Sequence, residues 1–146
     1  MISIKYLTLE KAKEIYLSTI ENSGGGEAGI IDVGKLDSVL EHIQNDDYYP
    51  TFVEKLTHLF FCSCKFHCFT DGNKRIAVTL SAVFLLENGY MSAGRVFFRE
   101  MENISYHVAA GRIDKPLLQE IMSAIINNTY DSDEMLKLAI YNAISD

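Results

Sequence analysis

The chain has 146 residues, 48% of them hydrophobic and 23% charged, a composition typical of one globular domain and unlike that of a disordered tail. Thirteen Lys and Arg against 20 Asp and Glu give a net charge of -7. No basic excess is therefore available to replace phosphate counterions, which excludes a general nucleic-acid binder. No apolar run approaches the roughly 18 residues that a membrane span needs, so we expect neither a nucleic acid nor a membrane as partner.

The N-terminal residues and the cysteines indicate the cytoplasm. Residues 1–6 lack the long apolar stretch and the small-residue cleavage site of a signal peptide. The cysteines, Cys62, Cys64 and Cys68, are odd in number and lie close together, which argues against a disulfide framework. We therefore predict a cytoplasmic protein.

Helical patterns dominate the first third of the chain. Thr8 is a suitable N-cap for a helix that ends near Asn22, where a Ser-Gly-Gly-Gly run stops it. The segment 27–32 is short, flanked by glycine and partly β-branched, which predicts a loop or a small hairpin. Asp32 is placed to cap a second helix with apolar residues at helical spacing.

A third and a fourth helix follow, separated by a short loop. Pro50 suits an early position of the third helix, which runs towards Lys65. Residues 67–72 are polar and contain glycine, so they predict a loop. The segment 73–88 is apolar nearly all round, as in a helix at the centre of a domain, and Gly89 ends it.

Shorter helices are predicted at 99–110, 115–127 and 131–144, and strand content is minimal. The sequence therefore predicts a single, mainly α domain wrapped around one buried central helix.

The segment 67–75 carries the residue types of a phosphate site, His-Cys-Phe-Thr-Asp-Gly-Asn-Lys-Arg. The first N–H groups of a helix are unpaired and lie at the positive end of its dipole, so residues 72–75 form a natural phosphate cradle. Lys74 and Arg75 add positive charge, and the planar guanidinium of Arg75 suits phosphate oxygens.

Three further residues of this segment have a chemical or structural use. Asp71 can hold one face of a hydrated Mg²⁺ that also touches the phosphates. His67 can accept a proton from an attacking hydroxyl near neutral pH. Phe69, between polar neighbours, is expected to point into the core and to anchor the loop. From these residues alone, an ordinary cationic turn with a structural histidine is the alternative.

A zinc site is a rival interpretation of the same region, because Cys62, Cys64, His67 and Cys68 lie within seven residues. Cys62 and Cys64 are two positions apart and point to different sides of a helix, whereas structural zinc sites draw ligand pairs from separate segments. Buried thiols that pack as small hydrophobic groups are the preferred interpretation.

The segment 67–75 resembles the signature of the Fic/Doc (Fido) superfamily, His-x-Phe-x-Asp/Glu-Gly/Ala-Asn-x-Arg. Lysine at the eighth motif position, here Lys74, resembles the motif of the Doc, or death-on-curing, branch. The resemblance extends over residues 7–124 and includes the Gly-rich run, Tyr-Pro-Thr at 49–51 and Asn-Gly-Tyr at 88–90. This chain departs from many relatives at Ile31, where an Arg is common, and at Val78, where AMP-transferring relatives carry a second Arg.

The resemblance implies a Fido-type helical domain over residues 1–126 with a short β-hairpin flap. Residues 127–146 exceed the usual family length, and we expect them to form a C-terminal helical extension packed on the same domain. In the family, the flap aligns the target protein as an added strand. Here that role falls to four residues: Gly29, Ile30, Ile31 and Asp32.

The resemblance further implies a Doc-like toxin that transfers the γ-phosphate of ATP to a hydroxyl of a protein such as elongation factor Tu. By family role, His67 deprotonates the hydroxyl and Asp71 binds Mg²⁺. The phosphates are held by Gly72, Asn73, Lys74 and Arg75. The alternatives are a Fic-type AMP transferase and a catalytically silent Fido binding module. A small antitoxin is an expected partner, and a homo-oligomer stays open.

Overall fold

The computed structural model describes residues 3–22, 33–65 and 73–145, which form α-helices and one 3₁₀ turn. The helices are α1 (Leu9–Asn22), α2 (Val33–His42), α3 (Phe52–Lys65), α4 (Asn73–Glu87), α5 (Met91–Ala109), α6 (Lys115–Ile126) and α7 (Glu134–Ile144). These described residues contain no strand, so the mainly α class is confirmed. The predicted flap hairpin falls in 23–32, outside the described residues, and stays a prediction. Within the same described ranges, no helix has both the length and the apolarity of a membrane span.

Helix α4 lies at the centre of the domain. It packs against α1, α3 and α5, and five of its apolar side chains are fully buried: Ile76, Ala77, Leu80, Phe84 and Leu85. Helix α3 packs against α4, α5 and α6, and the ring of Phe60 meets the ring of Phe97 of α5 edge-on. The prediction of one buried central helix is therefore confirmed.

Side-chain caps determine where α1 and α3 begin. The hydroxyl of Thr8 accepts a hydrogen bond from the N–H of Lys11 at 3.1 Å, which confirms the predicted cap of α1. At α3 the predicted position of Pro50 inside the helix is wrong. The Thr51 hydroxyl accepts from the N–H of Glu54 at 3.2 Å and donates to its carboxylate at 2.9 Å. The bond from the N–H of Glu54 makes Thr51 the cap and leaves Pro50 just before it.

Helix α5 begins at Met91, eight residues before the predicted start at Arg99. Its cap residue, Tyr90, makes no side-chain cap hydrogen bond, so the sequence carries no start signal there. Packing on α4 supplies the stability instead, since a Cβ on Gly94 would lie only 3.1 Å from the Leu86 side chain. Gly89, with φ +91°, ends α4 as predicted.

The C-terminal residues pack on the helices before them. The Tyr130 hydroxyl donates to the Glu100 carboxylate at 2.9 Å, which ties the 3₁₀ turn to α5. The side chain of Asp133 caps α7, so this helix begins at Glu134 and not at the predicted Asp131, which lies in the 3₁₀ turn. Helix α7 packs against α6 and buries two side chains, Leu136 and Ile140. The domain boundary at residue 126 stays a prediction.

Removal of residues 128–146 is expected to lower the Tm by about 10 °C, because burial of Leu136 and Ile140 contributes about 1.5–3 kcal/mol each. Differential scanning calorimetry of the full chain and the truncated chain measures this change. An unchanged Tm together with a higher rate of protein modification would instead assign the extension an inhibitory role.

Candidate active site

The structure describes only part of the predicted site. His67, Phe69, Asp71, Gly72 and the flap residues 29–32 lie outside the described residues, so their predicted roles stay predictions. Two other predicted residues, Asn73 and Lys74, are described as the first two residues of α4. Arg75 is the predicted site residue whose side chain is described, and it is half-buried.

The first turn of α4 has the backbone geometry of an anion site. The helix begins at Asn73, as predicted, and continues for 15 residues. The N–H groups of the first turn of an α-helix have no acceptor within the helix, and the helix dipole places positive potential there. In this chain those groups belong to Asn73, Lys74 and Arg75. The backbone of this turn can therefore bind phosphate oxygens.

Contacts with α1 fix the position of this turn. The Thr79 hydroxyl lies 3.1 Å from the carbonyl oxygen of Arg75 and 3.0 Å from the Thr19 hydroxyl of α1. Both hydroxyls are partly buried, so their hydrogen bond adds a specific link to the apolar packing between the helices. The link lies one turn beyond Arg75.

A cavity of about 220 Å³ lies beside Arg75. It is lined by Thr19, Arg75, Val78, Thr79, Phe98 and Glu102. Val78, 7% exposed, forms an apolar wall of this cavity. Phe98 and Glu102 were missed by the sequence analysis. Their spacing of four residues would have placed them on one helix face, had α5 been predicted to begin before Phe98.

A larger cavity of about 520 Å³ lies between α2 and α3, and we call it the α2–α3 groove. Its lining residues are Gly34, Lys35, Ser38, Val39 and His42 of α2 with His58, Cys62 and Lys65 of α3. The α2 lining is mostly exposed, whereas His58 and Cys62 are buried and form the α3 wall.

His58 is held by polar neighbours from three parts of the fold. The Lys115 ammonium of α6 donates to Nδ1 at 2.8 Å, and the Tyr49 hydroxyl lies 3.3 Å from Nε2. The Cys62 thiol lies 3.4 Å from Nε2. Burial, together with the charges of Lys115 and His42, lowers the pKa of His58 to about 4. The imidazole is therefore neutral at pH 7, with Nδ1 as acceptor.

We expect the free energy of unfolding to decrease as the pH is lowered, because of His58. In the unfolded chain its pKa is about 6.5, so between about pH 6.5 and 4 the unfolded state binds a proton that the folded state does not. Falling pH therefore favours unfolding over this window. The Tm of the wild type minus that of His58→Gln should decrease from pH 7 to pH 4, as measured by thermal melts. A constant difference would contradict the depressed pKa.

The described residues hold no cluster of three or more potential metal ligands. Cys62 and Cys64 are buried on α3, and Cys62 contacts His58. The other two ligands of the zinc interpretation, His67 and Cys68, lie outside the described residues, so that alternative stays a prediction.

Comparison with protein families identifies the region that contains this site. The model of the Fic/DOC family matches residues 6–85, more than half of the chain, and the match includes α1 to α3, the segment 67–75 and most of α4. No curated protein and no solved structure matches the chain. Members of the family are generally nucleotide-dependent transferases that modify proteins. The chain belongs to the Fic/DOC family.

Proposed function

We propose that this protein is a Doc-branch transferase that moves the γ-phosphate of ATP to a hydroxyl of a protein target. The observation that carries the proposal is the start of α4 at Asn73, which places Lys74 in the first turn of the helix. The backbone N–H groups of this turn are suited to phosphate oxygens, and the turn includes the backbone of Lys74. By resemblance, lysine at this motif position is the mark of the Doc branch.

In the proposed reaction, His67 accepts the proton of the target hydroxyl while the hydroxyl oxygen forms a bond to the γ-phosphorus. The bond from the γ-phosphorus to the oxygen bridging it to the β-phosphate breaks, and ADP leaves. Residues 72–75 hold the phosphates, with the Arg75 guanidinium and the first N–H groups of α4 as donors. Catalysis of phosphoryl transfer rests mainly on positioning and charge stabilisation, which such an arrangement provides.

The donor chemistry fits Mg²⁺. Asp71 stands two positions before the first residue of α4, so a carboxylate adjoins the turn that we assign to the phosphates. One carboxylate combined with phosphate oxygens and waters is a donor set that Mg²⁺ prefers. When bound, the ion would neutralise phosphate charge, and Asp71 would hold it.

Val78 favours phosphate transfer over AMP transfer. Its side chain is buried, and among the described residues that line the cavity beside Arg75 the only fixed cation is Arg75 itself. The second Arg of many AMP-transferring relatives therefore has no counterpart at this position. Transfer of AMP is the second candidate, because the rest of the motif is common to both branches.

The partners follow from the branch by resemblance. The target would be a cytoplasmic translation factor such as elongation factor Tu, aligned by Gly29, Ile30, Ile31 and Asp32. A small antitoxin would silence the enzyme, and a homo-oligomer is compatible with this assignment. A catalytically silent binding module is the alternative to an enzyme.

Mass spectrometry of candidate target proteins tests the proposal directly. The targets are incubated with the protein, ATP and Mg²⁺, and the mass added to each is measured. Added phosphate supports the assignment, whereas added AMP would replace it with the Fic-type reaction. Absence of any modification, with elongation factor Tu and a whole bacterial lysate as targets, would favour the silent module.

A further inference from the structure

We propose that the α2–α3 groove binds an acidic segment of the protein target. The inference rests on the proposed function, since the segment belongs to the protein that presents the hydroxyl. It names a recognition site outside the segment 67–75 and outside the flap residues 29–32.

The groove is formed by two facing rows of polar side chains. Lys35, Ser38 and His42 are spaced by three and four residues, which puts them on one face of α2. His58, Cys62 and Lys65 are spaced by four and three residues on α3. Each row spans eight residues, which are seven steps along the helix or about 10 Å. A groove of this length fits an extended segment of about three residues.

The charge of the groove contrasts with that of the chain. The whole chain has a net charge of -7, yet the described lining of the groove contains two lysines, Lys35 and Lys65, and no Asp or Glu. Complementary potentials fix partner choice and increase the rate of encounter. The lining therefore selects a partner with clustered carboxylates.

The two walls of the groove have different tasks. His58 is neutral, and its ring nitrogens already contact Lys115, Tyr49 and Cys62, so it serves as a rigid wall. Ser38 and His42 are exposed, and Lys65 is half-exposed, so these side chains can donate to carboxylate oxygens. Hydrogen bonds to a charged acceptor are the stronger kind.

The position of the groove along the chain links it to the reaction. Lys65 is the last residue of α3, and His67 follows two positions later in the sequence. Two residues span at most about 7 Å of chain. Lys35 follows the predicted flap by three positions. The groove therefore lies close enough to the predicted base for one target chain to place an acidic segment in the groove and a hydroxyl at His67.

Binding of a fluorescein-labelled hexaglutamate peptide, measured by fluorescence anisotropy at pH 7 and low salt, tests the proposal. The double variant Lys65→Ala/His42→Ala should bind at least about fivefold more weakly than the wild type. Lys5→Ala is the matched control and should bind as the wild type does. The backbone of Lys5 is bonded to Asn88, next to the far end of α4, away from the first turn of that helix. A variant that carries Lys65→Arg in place of Lys65→Ala should recover most of the peptide affinity that the double variant loses.

Equal affinity of the double variant and the wild type would overturn the proposal. The proposal would also be overturned if ATP competed with the peptide and the double variant bound ATP more weakly to a similar degree. The groove would then be part of the nucleotide site. Thermal melts identify a variant that fails to fold, in which case Lys65→Gln and His42→Gln replace it. The binding assay requires no phosphate transfer. A failure of the phosphotransfer proposal therefore does not change the peptide-binding result, and a failure of peptide binding does not change the mass-spectrometry result.

Discussion

Replacement of His67 by alanine is expected to slow protein modification by about 10²- to 10⁴-fold, the usual contribution of a general base. A neutral imidazole can accept the hydroxyl proton, and the methyl group of alanine cannot. The Tm should stay close to that of the wild type, since the segment 67–75 precedes the buried part of α4. Initial rates with labelled ATP and a protein target measure the effect.

His107→Ala is the matched control for this experiment. His107 lies near the end of α5, where its ring meets Tyr106 edge-on and lies 3.4 Å from Arg112, so it should keep the wild-type rate. Expression in a bacterial host provides a second measurement, because the toxin activity that the resemblance implies would arrest growth. Equal arrest by the wild type and His67→Ala, or arrest by neither, would contradict the assignment of a catalytic toxin.

Helix boundaries could be predicted where local chemistry determines them. Thr8 caps α1 through its hydroxyl, and Gly89 ends α4 with a positive φ. Asp114 caps α6, whose observed start at Lys115 agrees with the prediction. Each signal acts within a few residues of the boundary, so it can be recognised without knowledge of the tertiary structure.

Boundaries that depend on distant contacts could not be predicted. The first turns of α5 are stable because Gly94 allows close packing on Leu86 of α4, although glycine within a helix costs about 1 kcal/mol. No local pattern contains that information. Pro50 was misplaced for a different reason, since the cap at Thr51 is a local signal, a hydroxyl that accepts from the N–H of Glu54 three residues later, and the prediction did not use it.

The same division applies to the candidate site. The segment 67–75 is contiguous, so a chemical role could be proposed from order and spacing, and that role stays a prediction, whereas the predicted start of α4 at Asn73 is confirmed. The cavity beside Arg75 required the structure, because Thr19, Phe98 and Glu102 come from α1 and α5. The α2–α3 groove likewise combines residues of two helices, which only their packing brings together.

Lys74 gives the sharpest prediction about the reaction itself. AMP-transferring relatives carry Gly at this motif position, which lets the backbone approach the nucleotide closely and leaves room for the α-phosphate to face the hydroxyl. Under the proposed function, a lysine at this position of α4 would occupy that room and add a cation beside the triphosphate. The resemblance to Doc implies that the nucleotide then binds in the reverse direction, with its γ-phosphate nearest His67.

Label from [γ-³²P]ATP is therefore expected to reach the protein target, and label from [α-³²P]ATP is not. Lys74→Gly should weaken the γ-phosphate transfer by about 10-fold or more, the loss of one charge-assisted contact to phosphate, and should permit some transfer of AMP. Lys137→Gly, at an exposed position of α7, is the matched control and should keep the wild-type pattern of labelling. Because a reversed nucleotide changes the product without changing the general base, the two labels separate nucleotide orientation from catalytic competence. Incorporation of the α-label by the unmutated protein would refute phosphate transfer while leaving His67 as the base.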